Sequence, residues 1–438
     1  MTRPDVHIIG AGLAGLSAAV ELVSTGARIF VHEATKAAGG RCRSYYDQQL
    51  GMEIDNGNHL LLSGNLHALR YIKKIGAEER LTDLPEARFP FINLRNGRQW
   101  TLAPSPGPLP LWLLSRDRRA PDAHLSDYLD LLKLLWTAGD APIGEVMRCA
   151  GPLYDQMTRP LLLAGLNTDP VEGSSALARQ LIRDTLMKGA QACAPVIARE
   201  GLSKAFIDPA LEFLERGETT VNFARRLRSI GFMQSRVTSL QFEDQTLILS
   251  PSDIVILAIP PQAAAALAPE IQTPDTFNAI INAHFAIATP PTIATLTGVT
   301  GALTEWLFAY PNRLSVTISA ANHLLDRPLE ELAREIWREV AMIAGIKGEM
   351  PRWRILREKR ATFAATPDQN SKRPGTRTRY RNLLLAGDWT ATGLPATIEG
   401  AIKSGATAAH EARHMMAKNS DAATSARHRK PDAYADHG

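Results

Sequence analysis

The chain has 438 residues, 45% of them hydrophobic and 21% charged, with a formal net charge of +4. That length exceeds one ordinary core and predicts two domains. The small charge argues against nucleic acid as a main partner but tolerates an anionic membrane surface. Cys42, Cys149 and Cys193 form no CxxC pair and no metal-ligand spacing, so no metal site is expected and a reducing compartment is.

Val6–Ile9 reads as a short buried strand, and Gly10-Ala-Gly12-Leu13-Ala14-Gly15 turns from it into an Ala/Leu/Val helix that Gly26 ends. Arg28–Glu33 makes the next strand, completing a right-handed βαβ unit. The apolar run from Ile8 to Val20 is not a signal peptide, because Asp5 precedes it and Glu21 closes it without a cleavage site. No stretch reaches the roughly 20 apolar residues that span a bilayer. The protein is expected in the cytoplasm, at most peripheral on the cytoplasmic face of the inner membrane. Residues 34–100 mix short strands and turns, 104–110 are proline-rich, and helices are expected from 126 to 211, among them Leu125–Thr137 and Ala176–Lys188. Strands follow at Arg236–Phe242, Asp253–Ala258, Trp306–Tyr310 and Leu314–Ser319, with a helix over 328–344. Asn382–Asp388 reads as a buried strand and Glu399–Met416 as a small-residue helix, and the polar tail beyond Ala417 is expected to be disordered.

The chemistry begins at the GxGxxG loop. Gly10 permits the tight turn, Gly12 lets a pyrophosphate approach the main chain, and Gly15 lets helix and strand pack closely. The helix start at Leu13 and Ala14 offers free N–H groups and partial positive charge to phosphates. Glu33, ending the second strand, is placed to accept both hydroxyls of an adenosine ribose. Six residues on comes Gly39-Gly40-Arg41, with Ser44 beyond. From there the sequence resembles the flavin amine oxidase and carotenoid desaturase superfamily. The resemblance implies FAD, with Arg41 contacting the pyrophosphate. It continues near the other chain end, in Leu384-Leu-Ala-Gly387-Asp388 and Pro395-Ala396-Thr397-Ile398-Glu-Gly-Ala401. There it implies that Gly387 and Asp388 meet the ribityl-phosphate region and that the backbone opening the last helix faces the flavin N1/O2 edge. Physical logic agrees, since a helix N-terminus stabilises the anionic charge a reduced flavin carries there. Val237 is either a strand residue contacting adenine through its backbone, as in the superfamily, or an ordinary core valine.

The implied fold class is α/β: a Rossmann-like FAD-binding domain with a second α+β substrate domain, a mixed sheet plus a helical insert, discontinuous in sequence. The FAD-binding parts are 1–85, 206–265 and 376–416, the substrate parts 86–205 and 266–375, and 417–438 is tail. The stretch Asp55-Asn56-Gly57-Asn58-His59-Leu-Leu-Leu-Ser-Gly-Asn65 should lie against one flavin face, Asn56, Gly57 and Asn58 nearest. This stretch, with 160–168, 358–367 and 387–395, resembles the hydroxysqualene dehydroxylase family. The resemblance covers residues 5 to 412.

That family implies a hydrophobic C30 isoprenoid substrate, hydroxysqualene, which loses its hydroxyl as water to leave an allylic cation. Hydride from reduced flavin then gives squalene. Such chemistry needs an acid for the leaving oxygen and an apolar tunnel that excludes water. His59 and Asp55 are the candidate acids. The alternative is that Asp55 and the asparagines hold the turn while His59 is a satisfied loop histidine. Lys359 and Arg360 read as strand residues with paired charges. Pro108–Arg119, apolar and then cationic, either dips into an anionic membrane surface or caps the substrate cavity. Competing functions are a desaturase or amine oxidase running in the oxidative direction, and a non-catalytic lipid escort. The reductant that recharges the flavin is not legible in the sequence.

Overall fold

The computed structural model describes residues 3–83, 86–107 and 109–428. Its centre is a parallel five-stranded sheet in the order Thr220–Asn222, Arg28–His32, Asp5–Ile9, Ile254–Leu257, Leu383–Leu385. Val6 pairs with Ile29 on one side and Ile254 on the other. Both faces of this sheet are covered, which is why its strands read as unbroken apolar runs instead of alternating ones. Helix Leu13–Leu22 covers one face together with helix Ile398–His428. The antiparallel meander Leu227–Met233, Arg236–Phe242, Thr246–Ile248 covers the other.

The first and last helices touch backbone to backbone. A Cβ on Gly405 would stand 2.1 Å from the Ala14 carbonyl oxygen, and the Ser17 hydroxyl donates to the Ile402 carbonyl at 2.9 Å. Residues almost 400 positions apart therefore share one side of the glycine loop.

The second sheet has seven strands, in the order Trp353–Phe363, Phe277–Ala286, Arg313–Ile318, Trp306–Tyr310, Leu296–Thr300, Phe89–Asn93, Gln99–Leu102. Helix Leu329–Ala344 packs on one face through Leu332, Ile336 and Val340 against Ile281, Leu307 and Val316. The opposite face meets the helical insert across a layer containing Phe91, Tyr128, Met157, Trp306 and Phe308. The α/β architecture with a discontinuous mixed-sheet partner is thus the one observed.

Two local readings change. The last helix does not stop at Met416 but runs Ile398–His428. The expected disorder of the tail is corrected as far as 428, because no glycine or proline interrupts 417–428 and alanine favours continuation; residues 429–438 lie outside the described residues. Strand Pro195–Ala198, within the stretch read as substrate domain, pairs with Leu61–Leu62 and Leu81–Asp83 and joins the core that contains Val6. In the Pro108–Arg119 segment, read as either membrane-facing or capping the cavity, Trp112 is buried against Tyr128. Among the described residues no helix is long and apolar enough to cross a membrane.

The helix contact generates a test. Gly405→Ala is expected to destabilise the fold by about 1–3 kcal/mol, because the Ala14 backbone cannot yield to the added methyl. Gly375→Ala, where a Cβ meets nothing within 4 Å, serves as control. Equal melting temperatures for the two variants would contradict the packing described.

Candidate active site

Helix Leu13–Leu22 starts directly after Gly12 with no side-chain cap, so its first N–H groups stay open to an anionic ligand. The Ala11 N–H donates to Glu33 Oε2 at 2.8 Å, and Thr35 donates its N–H and hydroxyl to Oε1, each at 2.8 Å. Glu33 is thereby locked at the end of its strand with one acceptor site of Oε2 left for a ribose hydroxyl. The Gly39 N–H donates to the Ala11 carbonyl at 2.8 Å, which ties the Gly39–Arg41 turn to the glycine loop. A Cβ on Gly12 would meet nothing within 4 Å, and one on Gly40 would meet only Gly12 Cα, at 3.7 Å. The result is a slot with main-chain walls.

Val237 is not part of it in the way expected. Its N–H donates to Asn382 Oδ1 at 2.9 Å and its carbonyl accepts from Asn382 Nδ2 at 3.0 Å, so a backbone contact to adenine is withdrawn. The backbone running past Glu33 is instead that of 224–225, where the Arg225 N–H donates to the Glu33 carbonyl at 2.8 Å. No residue type marks that segment, so sequence patterning could not find it.

Arg41 closes the slot. Its Nη2 donates to both carboxylate oxygens of Asp388, at 2.7 and 2.8 Å, and its Nη1 to the Ala361 carbonyl. The adjacent carboxylate raises the guanidinium pKa. Asp388 follows Gly387, whose N–H donates to the Ser404 hydroxyl at 2.8 Å. The turn from there to Pro395, Ala396 and the helix start is held by two cations not singled out in the sequence. Arg373 donates through Nη2 to the carbonyls of Asp388 and Thr390, and Lys403 donates to the Thr392 carbonyl at 2.8 Å. Burial pulls the Arg373 pKa down to about 10, leaving it charged at neutral pH. The Thr397 hydroxyl accepts the Gly400 N–H at 3.1 Å and so caps the helix that Ile398 opens. Glu399 turns away and caps helix Leu66–Ile75 through the His67 and Ala68 N–H groups.

The Asp55–Asn65 loop lies between this slot and the seven-stranded sheet. Asp55 is withdrawn as an acid: Oδ1 accepts from the Ser44 hydroxyl at 2.7 Å and the Leu202 N–H at 2.8 Å, and Oδ2 faces Arg313 at 3.6 Å. It is an anchor for the loop. The Asn56 N–H donates to the Arg43 carbonyl at 2.9 Å. Gly57 passes Asn282, whose Nδ2 would lie 3.2 Å from an added Cβ and His59 Nε2 3.8 Å. Asn58 reaches the sheet, its Nδ2 donating to the Thr317 hydroxyl at 3.1 Å. His59 is half-buried. Burial pushes its pKa down to about 4, against an opposing pull from Asp55 and with a lesser push from the Arg41 charge. Its ring is neutral at pH 7.

Two of the unusual stretches prove to be a joint. Asn167 Nδ2 donates to the Thr362 hydroxyl at 2.9 Å and its Oδ1 accepts the Ala320 N–H at 2.7 Å. The Thr168 hydroxyl accepts from Asn278 Nδ2 at 3.0 Å and from the Ala365 N–H at 2.8 Å. Lys359 and Arg360 are exposed, Arg360 lying over the Phe277 ring. One acid escaped the sequence reading altogether. Glu305 accepts the Ser319 N–H at 2.8 Å, and burial lifts its carboxyl to about 7; no motif surrounds it. Among the described residues the one trio with metal-binding proximity is Asp5, His7 and Asp253, at the far ends of their strands, where Asp253 accepts the Ser250 hydroxyl and the Asp5 N–H.

An open helix start, main-chain walls, a ribose-hydroxyl acceptor and a cation fit a dinucleotide with an anionic bridge, and the capped second helix start fits the far end of a flavin. Comparison with known proteins agrees. Residues 13–413 match the sequence profile of flavin containing amine oxidoreductases. The chain is 52% identical over 405 residues to hydroxysqualene dehydroxylase of Rhodopseudomonas palustris, covering 92% of this chain and 97% of that protein. It is 50% identical over 405 residues to the protein of that name from Sinorhizobium fredii, at the same coverages. Cyclohexylamine oxidase of Brevibacterium oxydans IH-35A shares the fold, with a TM-score of 0.70 at 16% identity over 95% of this chain and 100% of that one.

Removing the Arg41 charge is expected to weaken retention of FAD at least tenfold, because Asp388 is then left facing a phosphate with no cation between them. The ratio of flavin absorbance to protein in purified Arg41→Ala reads this directly. Retention equal to wild type would remove Arg41 from the pyrophosphate.

Proposed function

The chain belongs to the flavin containing amine oxidoreductase family, among the hydroxysqualene dehydroxylases, and from that premise we propose that it reduces hydroxysqualene to squalene. FAD is its cofactor. The observation that carries the reading is the 52% identity over 405 residues, 92% of this chain. The reaction balances as an allylic alcohol plus a proton and a hydride giving the hydrocarbon and water. Reduced flavin supplies the hydride when bound. The protein's own residues supply enclosure, orientation and a proton.

The apolar layer between the seven-stranded sheet and the insert keeps water from a carbocation. The ring faces of Phe91, Trp306 and Phe308 in it offer stabilisation to a positive charge. We assign the proton to His59, which lies beside Gly57 on the loop nearest the slot. Because its folded pKa is depressed to about 4, its charged form is scarce at pH 7 and grows as pH falls.

Peripheral membrane contact is the second part of the proposal. Leu109, Leu111, Leu114, Leu125, Leu129 and Trp136 are all 49% exposed or more, a concentration rare on a water-facing surface. Arg116 and Arg118 stand exposed beside them, a pairing suited to an anionic bilayer in which a C30 hydrocarbon dissolves.

Three measurements follow. Flavin-reduced protein incubated anaerobically with hydroxysqualene is expected to yield squalene and reoxidised flavin; no product there, with peroxide formed from an amine in a separate aerobic assay of the oxidised protein, would assign an oxidase. Under the same assay turnover should rise about tenfold per unit as pH falls from 7 to 5. His59→Ala should keep its flavin and lose most of that activity. A rate that levels off below about pH 6 would move the proton to Glu305. Co-sedimentation with vesicles containing phosphatidylglycerol should fall several-fold in Leu111→Ser/Leu114→Ser, and equal sedimentation would remove the membrane.

A further inference from the structure

Polar groups inside an apolar layer are normally paired. Two at the boundary between the Asp55–Asn65 loop and the aromatic layer are not: Asn58 Oδ1 and Trp306 Nε1 are both buried without a partner among the described residues. The orientation of the Asn58 amide follows from its neighbours. The Asn58 backbone N–H donates to Asn282 Oδ1 at 3.3 Å, which sets the Asn282 amide. The Thr317 hydroxyl, 2.9 Å from the same oxygen, must then give its proton there. It is left to accept from Asn58 Nδ2 at 3.1 Å. Asn58 therefore turns an acceptor, not a donor, away from this network.

Trp306 and Thr317 are directly opposed partners on neighbouring antiparallel strands. Their side chains share a face, with Cβ atoms about 5 Å apart. The loop residue with the unpartnered acceptor and the strand residue with the unpartnered indole N–H are thus both neighbours of Thr317. Beyond them the same sheet row continues through Gly298, Phe91 and Trp100. Phe91 meets Trp306 edge-on at 5.5 Å and stacks on Trp100 at 5.3 Å. The ring of Phe91 occupies the place of a side chain on Gly298, whose Cβ would come within 2.3 Å of it. One donor and one acceptor stand beside a row of aromatic side chains.

A hydroxyl donates once and accepts, so this pair complements an alcohol on an apolar chain. We propose that Asn58 and Trp306 form the subsite for the substrate's alcohol group, Trp306 Nε1–H donating to the alcohol oxygen and Asn58 Oδ1 accepting its proton. The proposal rests on the dehydroxylase reading above. It makes these two residues the determinants by which the protein separates its alcohol substrate from the hydrocarbon product. A site built to bond a hydroxyl discriminates against analogues that lack one, whereas an apolar pocket does not.

The test uses oxidised holoprotein, which binds without turnover, and reads flavin fluorescence as hydroxysqualene or squalene is titrated in. Wild type is expected to prefer the alcohol by tenfold or more. Trp306→Phe, which keeps a ring and removes the donor, should lose about tenfold in affinity for the alcohol and hold its affinity for squalene. Asn58→Ala should show the same selective loss and serves if the tryptophan variant fails to fold. Variants that retain the full preference, or lose affinity for both ligands together, would overturn the subsite while leaving the reaction assignment intact. Wild-type protein that binds neither ligand would count against the reaction assignment itself.

Discussion

The pair formed by Arg41 and Asp388 is the contact on which the site depends. Its members are 347 positions apart, one in the turn after the second strand and the other at the end of the last strand. Their meeting requires the whole central sheet to form, since Asp5–Ile9 and Ile254–Leu257 lie between Arg28–His32 and Leu383–Leu385. The Asp388 carboxylate stabilises the Arg41 guanidinium charge. The same carboxylate fixes where that charge points. Arg373 and Lys403 then hold the turn after Asp388 from behind, so the cation, the main-chain slot and the capped helix start keep one geometry.

Around this centre polar side chains do structural work that resembles chemistry in the sequence. Asn167 and Thr168 join the helical insert to the seven-stranded sheet through Thr362, Asn278 and the backbone at 320 and 365. Asp55 joins the loop to Ser44, Leu202 and Arg313. Buried amides and carboxylates are expensive unless every lone pair is used. Once used, they hold two domains in one register. The apolar layer between insert and sheet is enclosed because these joints prevent its two sides from separating.

At the glycine loop charge is concentrated and aimed, by helix starts and by Arg41. Elsewhere burial favours neutral forms: His59 is depressed to about 4, Glu305 raised to about 7, and His32 within the central sheet depressed to about 3. A water-poor environment suits a reaction in which a carbocation must survive.

The candidate cofactor slot draws on residues that stand out in the sequence, because its walls are made of backbone. Glycines at 10, 12, 15, 39 and 40 and an acid at 33 declare a main-chain slot wherever they occur in strand–turn–helix order, and the second cluster at 387–398 declares its other end. The parallel sheet followed from unbroken apolar strands alternating with a small-residue helix. What the tertiary structure decided were the partners of polar side chains. Asp55 is an anchor because Ser44 and Leu202 fold onto it, Val237 is silent because Asn382 occupies its backbone, and Trp112 is core while Leu111 and Leu114 face outward. A sequence shows which groups can bond, but their use depends on neighbours brought from 11 to 347 residues away. Only the packed chain determines which donors and acceptors are satisfied and which, like Asn58 and Trp306, are left open for a ligand.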